Sequence, residues 1–244
     1  MDSQKKVDTK VCERIHYLID HFRSSVPSAN NHNSSLVNRF KPKPTKRASV
    51  LICLFHGHDA NLRVILTLRA SSLSTHSGEV ALPGGKREEG DANDVETALR
   101  EAKEEIGLDP SLVTVITILE PFITKYGVII TPVVGILSNK DAFTPVLNPD
   151  EVESIFDAPL EMFLKDENRR AEEAEMMGEK FRMHFFDYEV DNKNYVIWAI
   201  TAAMLIRAAS VLYQRPPAFL ELRPKIWGGR TENDMFILQH SSKL

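Results

Sequence analysis

The sequence predicts an α/β (α+β) domain, and three observations carry that reading. Apolar runs at 50–55, 112–119 and 128–137 are rich in β-branched residues, the composition that suits a pleated, half-buried surface. The glycine pair Gly84-Gly85 leads into a helical pattern that closes at Gly107. Strand and helix signals alternate over one region instead of falling into separate blocks, and at 244 residues the chain can form one well-buried domain with appendages, or two small domains.

In chain order, Val11, Ile15, Leu18, Ile19 and Phe22 stand at amphipathic spacing, so 8–23 is expected to be a helix packed on the domain or on a second subunit. Residues 24–49, with Asn30-Asn31 and Lys41-Pro42-Lys43-Pro44, have the composition of a mobile linker. The division expected is 1–47 for this helix and linker, 48–215 for the domain and 216–244 for a loosely held tail. Strands are predicted at 50–55 and 62–68, joined by a turn around Asp59, and at 79–82, 112–119 and 128–137. Pro132 has no N–H to give a ladder, which predicts an edge strand or a bulge. A short helix is expected at 159–164, an exposed charged loop at 166–180, and strands at 181–188 and 195–200. The apolar helix at 198–213 is interrupted by Thr201, Arg207 and Ser210, so it is too short for a membrane span and is expected to be buried in the domain or in a homodimer. Pro216-Pro217 stops it.

Composition is that of a globular chain, 43% apolar and 26% charged. A net charge of -4 lacks the basic footprint that binding nucleic acid without sequence preference requires. Cys12 and Cys53 are far apart and show no metal-ligand spacing, which predicts free thiols in a reducing compartment. Met1 to Lys10 is charged and carries no apolar secretory core. The last residues, Ser242-Lys243-Leu244, have the form of a peroxisomal address. They predict the peroxisomal matrix as location and the peroxisomal import receptor as a partner, with the cytosol as the alternative.

The chemistry concentrates in 82–108. Glu101, Glu104 and Glu105 stand at i, i+3 and i+4, one face of a helix turning about 100° per residue. Like charges so gathered repel and push at least one carboxyl toward protonation. A divalent cation removes the penalty, and hard oxygen ligands with room for substrate phosphates suit Mg2+, or Mn2+ in its place. Val95, Ala98, Leu99, Ala102 and Ile106 form a separate apolar stripe for the core. Asn93 with Glu96 reads as a capping box, Asp91 being a competing N-cap, and Gly107 as the C-cap. Arg100 is expected to orient the site by pairing with an acid near Asp91 and tying the loop to the helix.

This stretch resembles the Nudix hydrolases, marked by Gly-x5-Glu-x7-Arg-Glu-U-x-Glu-Glu-x-Gly-U with U apolar. The second half is complete from Arg100 to Leu108, whereas Asp91 replaces the first Glu and stands one residue further from Arg100. That variant is similar to the coenzyme A diphosphatase subgroup, and the likeness extends through 66–80, where Ala70 and Ser74 depart from the subgroup's Arg-Ser and Leu-Arg-x-His-x-Gly. The resemblance implies a mixed sheet held between helices, with helical extensions at both ends. It also implies that the Gly85 carbonyl joins Glu101, Glu104 and Glu105 on the metal, and that Glu151 adds a carboxylate from a later loop; an alternative role for Glu151 is a charge at a helix N-terminus. Arg69 and His76 fit the subgroup pattern as substrate contacts, and Lys86 and Arg87 flank the loop as further candidates for the phosphate cradle. Arg100, Glu101, Glu104 and Glu105 are the catalytic set, with the base open among Glu104, Glu105 and Glu151.

The expected reaction is metal-dependent hydrolysis of the diphosphate of coenzyme A, or of its acyl or oxidised derivatives, to 3′,5′-ADP and a 4′-phosphopantetheine. The alternatives are a diphosphatase of another nucleoside diphosphate compound such as ADP-ribose or NADH, for which Ala70 and Ser74 speak, and a Nudix module that binds nucleotide without cleaving it.

Overall fold

The computed structural model describes residues 46–57, 61–176, 178–224 and 227. The helix expected at 8–23, Cys12, the turn at Asp59 and the Ser242-Lys243-Leu244 ending lie outside them. Among the described residues, eight strands form one sheet: β1 (Lys46–His56), β2 (Leu62–Arg69), β3 (Val80–Ala81), β4 (Gly84–Lys86), β5 (Val113–Ile118), β6 (Phe122–Ile123), β7 (Val128–Leu137) and β8 (Val152–Pro159). Its order is β3-β2-β1-β7-β5, with β4 also on β1, β6 on β7 and β8 on β2. β1 and β7 run parallel, from Lys46 opposite Val128 to Leu54 opposite Ile136, and the other pairs are antiparallel.

The pleat of β1 explains how helices come to cover both faces. Leu51, Cys53 and Phe55 point one way and meet Ala98, Ala102 and Ile106 of α1 (Asp94–Ile106), together with Val133 and Leu137. Ile52 and Leu54 point the other way and join Val64, Leu66, Val134 and Ile136 in a core shared with Ala202, Leu205 and Ala209 of α2 (Ala199–Tyr213). A strand buried on both sides reads as a continuous apolar run, which is why 50–55 is legible. The result is the expected mixed sheet between helices. α2 packs in the core of its own chain, and no helix among the described residues is long and apolar enough to cross a membrane.

Four details depart from expectation. β1 begins at Lys46, inside the stretch assigned to the linker, because Lys46 and Arg47 pair with Val128 and Ile129 of β7. β7 is central rather than an edge. Pro132 is tolerated there because its antiparallel partner breaks opposite it: β5 pairs up to Val133, β6 starts at Ile130, and between them the Pro132 carbonyl accepts from Leu119 N–H at 2.9 Å. The charged loop expected at 166–180 is largely strand. β9 (Arg169–Met176) pairs with β10 (Glu179–Val190), which pairs with β11 (Lys193–Trp198) in a second, antiparallel sheet. There the Arg170 guanidinium lies 4.4 Å from the Phe185 ring centroid, so charge and strand are compatible.

The start of the tail is held, not loose. Ala218 N–H donates to Leu164 O at 2.8 Å, Arg182 N–H to Leu222 O at 2.9 Å, and buried Trp227 donates from Nε1 to Ile123 O at 3.0 Å. Trp227 also meets Phe122 and Phe181 with ring centroids at 6.3 and 5.3 Å.

Candidate metal and active site

α1 is defined at both ends by its caps. Asn93 Oδ1 accepts from the N–H groups of Val95 and Glu96 at 2.9 and 3.0 Å, and Glu96 reaches back to the Ala92 N–H at 2.8 Å. Gly107 adopts φ 71° and donates to Lys103 O at 3.0 Å, the bond of an αL closure, while Leu108 donates to Ala102 O at 3.4 Å. Asp91, the competing N-cap, serves the site instead.

Arg100 binds Asp91 in a fork, Nε to Oδ1 and Nη2 to Oδ2, both at 2.9 Å. The same guanidinium donates to Glu104 Oε2 at 2.9 Å, Lys86 O at 3.0 Å and Glu101 Oε1 at 3.1 Å. Asp91 also accepts from Glu88 N–H at 2.9 Å and the buried Thr97 hydroxyl at 3.0 Å. The Arg100 fork foremost holds the Asp91 carboxyl well below the usual carboxylate range. Arg100 thus ties loop to helix, as expected of it.

β4 brings the loop against the acids. Gly84 pairs with Val50 and Gly85 with Ser49. A Cβ on Gly84 would overlap the Ser49 carbonyl and Val50, and one on Gly85 would overlap the Glu101 carboxylate. Gly84 N–H donates to Glu105 Oε2 at 3.0 Å.

Glu101, Glu105 and Glu151 form the cluster. Each offers a carboxylate oxygen within 4.8 Å of the other two. Glu105 is 3% exposed, and burial pushes its carboxyl up to about 7, with Glu151 and Glu101 adding to the rise and Gly84 N–H and Arg69 opposing it. Burial also raises Glu101, against the pull of Arg100. Glu151 is set at the mouth of β8: its N–H donates to Asn148 O at 3.1 Å, its carbonyl accepts from Ala70 N–H at 2.9 Å, and Asn148 Nδ2 reaches its Oε1 at 3.3 Å. Helix-dipole placement, the alternative for Glu151, does not arise, because strand and not helix follows it. Glu104 lies outside the trio, half exposed and paired with Arg100.

The basic candidates separate. Arg69 belongs to the site, with Nη1 3.9 Å from Glu105 Oε1 and Nε buried without a partner. His76 is exposed and pairs with Glu79 at 2.8 Å, two residues from Gly78 in the 70–79 loop. The Lys86 side chain is exposed and its carbonyl is held by Arg100. Arg87 turns to the loop itself, donating to Asp91 O at 3.1 Å and Ala92 O at 2.8 Å. A further knot escapes sequence reasoning: Asp94 accepts from Arg47 at 3.1 Å and from Thr131 at 2.9 Å, pinning the start of α1 to β1 and β7. In sequence Asp94 is only an acid in a first helical turn; no local signal marks its partners, 47 and 37 residues away.

Three crowded carboxylates, one almost wholly desolvated, are costly alone, and their hard oxygens fit a divalent cation.

Comparison with known proteins agrees. Residues 45–178 match the NUDIX domain model. The chain is 65% identical over 188 residues to Nudix hydrolase 15, mitochondrial, of Arabidopsis thaliana, and 59% identical over 204 residues to Nudix hydrolase 22, chloroplastic, of the same plant. These matches cover 77% and 84% of this chain but 65% and 67% of those proteins. Peroxisomal coenzyme A diphosphatase NUDT7 of Mus musculus is 34% identical over 193 residues, covering 78% of this chain and 80% of that one. The peroxisomal matrix expected from Ser242-Lys243-Leu244 is corrected by the plant relatives, whose names place them in mitochondrion and chloroplast and point away from that compartment. The import receptor expected as a partner rested on that ending alone. With the motif of Arg100 to Leu108 on a capped helix, the glycine strand against its acids and the domain match over most of the described chain, the protein belongs to the Nudix family.

Proposed function

We propose that the chain is a metal-dependent diphosphatase that hydrolyses coenzyme A or its acyl or oxidised derivatives to 3′,5′-ADP and a 4′-phosphopantetheine. The observation that carries the reaction class is the carboxylate trio of Glu101, Glu105 and Glu151, within 4.8 Å of one another beside the Gly84-Gly85 strand. Glu101, Glu105, Glu151 and the Gly85 carbonyl would hold Mg2+ or Mn2+. When bound, such an ion supplies positive charge and Lewis acidity toward a diphosphate.

The remaining roles belong to the chain. Arg100 fixes Glu101 and the loop in one arrangement through Asp91 and Lys86 O. Arg69, with Nε unpaired and Nη1 near Glu105, offers donors to a phosphate oxygen at the edge of the trio. Lys86, exposed, extends that positive edge, exposed His76 offers ring nitrogens, and Arg87 acts by closing the loop. The base stays open among Glu104, Glu105 and Glu151; Glu104, outside the trio, is half exposed and paired with Arg100.

The coenzyme A assignment is supported by the likeness of 66–108 to the diphosphatase subgroup and by the mouse relative's name. A second reading, another nucleoside diphosphate compound, is favoured by Ala70. Its side chain is buried and its N–H is used on Glu151 O, so nothing there reaches a substrate. The purified chain should be given coenzyme A, ADP-ribose and NADH at fixed Mg2+ and its products quantified. Coenzyme A turning over fastest supports the proposal. Faster turnover of ADP-ribose or NADH replaces the substrate and leaves the reaction class standing.

A further inference from the structure

We infer that Asn148 is a positioning residue for the proposed metal site, with a side-chain amide that sets the Glu151 carboxylate against Glu101 and Glu105. The inference deepens the diphosphatase reading and rests on it for the presence of a divalent ion.

The trio is drawn from two segments that are distant in sequence. Glu101 and Glu105 ride on α1, and Glu151 comes from the loop before β8. The stretch from Val146 to Asn148 joins the two. The last four carbonyls of a helix have no partner within it, and two of those of α1 are taken up here. Val146 N–H donates to Ile106 O at 3.0 Å, and Asn148 N–H donates to Glu105 O at 2.9 Å. Glu105 therefore holds Asn148 through its backbone while its own carboxylate belongs to the trio. Asn148 O in turn accepts from the N–H groups of Glu151 and Val152, at 3.1 and 2.8 Å, so one residue ties the helix end to the backbone of Glu151.

The side chain carries the tie on to the carboxylate. Asn148 Oδ1 accepts from Asp150 N–H at 3.1 Å, an Asx turn. That bond fixes which way the amide points and leaves Nδ2 to donate to Glu151 Oε1 at 3.3 Å. A neutral donor suits the place. An amide NH2 only donates, so it does not compete for the ion, and it occupies one of about four lone-pair sites on the carboxylate. Glu151 is half-buried, with the oxygens of two other carboxylates within 4.8 Å. Like charges repel at that distance, and the amide opposes the swing toward water that the repulsion favours.

The test is calorimetric titration of Mg2+, without substrate, into wild type, Asn148→Ser, Glu151→Gln and the double variant. Serine keeps a hydroxyl acceptor for Asp150 N–H but is too short to reach Glu151; Asn148→Thr keeps the same acceptor and takes its place if the serine variant does not fold. Removing the hydrogen-bond partner of a ligand predicts a Mg2+ Kd about 10–100-fold weaker for Asn148→Ser, with Tm in EDTA near that of wild type. In the Glu151→Gln background the same substitution should add little, because the carboxylate it positions is gone. On coenzyme A, the Mg2+ concentration for half-maximal rate should rise by the same factor, while kcat at saturating Mg2+ changes less. A wild-type Mg2+ Kd in Asn148→Ser, an equal further loss in the Glu151→Gln background, or a wild type that binds no Mg2+ overturns the inference. A wild type that binds Mg2+ in the predicted pattern yet cleaves neither coenzyme A, ADP-ribose nor NADH would count against the diphosphatase reading and leave the role of Asn148 standing.

Discussion

The Gly84 N–H donates to Glu105 Oε2 at 3.0 Å, so the glycine strand and the acidic helix are joined at a carboxylate that is 3% exposed. One oxygen is taken by the backbone and the other lies 3.9 Å from Arg69 Nη1, and the carboxylate comes within 4.8 Å of those of Glu101 and Glu151. Glu105→Gln keeps an acceptor for Gly84 and removes the charge. We predict that the variant folds but loses the rise in Tm that Mg2+ gives wild type, a rise worth about 2.7 kcal/mol at a hundredfold excess over Kd. Thermal melts with and without EDTA check this; an equal Mg2+ response in the variant would show that Glu105 holds no ion.

Gly85→Ala should disable the site through geometry alone. The added Cβ overlaps the Glu101 carboxylate, which must swing off the trio. Gly90→Ala, where a Cβ meets nothing within 4 Å, is the control. Activity of Gly85→Ala is predicted to fall roughly 10–100-fold, as when a ligand's support is removed, with Gly90→Ala near wild type.

Arg100→Lys tests the orienting role. A lysine keeps the charge but cannot fork onto Asp91 while also reaching Lys86 O, Glu101 and Glu104. Loss of charge-assisted hydrogen bonds predicts about 1.5–3 kcal/mol of stability lost, together with lower kcat. Denaturant melts and steady-state kinetics on the same preparation check both.

Acid stability should report His184. This buried ring has Nδ1 3.0 Å from Arg169 Nη1, and burial first, then Arg169 and Arg182, lower its pKa from 6.5 to about 4, against a small opposing effect of Asp166. Unfolded histidine therefore binds a proton that folded His184 refuses. The stability it allows is fully present above pH 6.5 and is lost as pH falls toward 4. Tm measured from pH 7 to 4 should drop more steeply for wild type than for His184→Leu; parallel curves would mean that His184 does not titrate in this way.

The acidic helix is legible because its signals are local. Asn93, Glu96 and Gly107 cap it, and the spacing of the glutamates needs no knowledge of the rest of the chain. The central strands were legible because burial on both faces leaves an apolar run. What could not be read depends on distant partners. Glu104 and Glu105 are equivalent in the motif, yet Arg100 holds one outward and Gly84 holds the other inward. Arg87 is a candidate for the phosphate cradle by its place beside the loop, and only the fold shows that it donates to the carbonyls of Asp91 and Ala92. β9 was hidden by its charge, since its ladder to β10 is a backbone property. Trp227 sits in a polar tail, and only its fit beside Phe122 and Phe181 shows that the segment packs.

The proposed chemistry places one carboxylate trio with a divalent ion on a diphosphate. The most direct measurement is the hydrolysis rate of coenzyme A against Mg2+ concentration for wild type and Glu101→Gln, with products identified by mass. The account predicts 3′,5′-ADP and a 4′-phosphopantetheine from wild type, a rate that rises with Mg2+ and vanishes in EDTA, and a variant slower by roughly 100-fold or more. Hydrolysis that persists in EDTA, or a Glu101→Gln variant as fast as wild type, would contradict it.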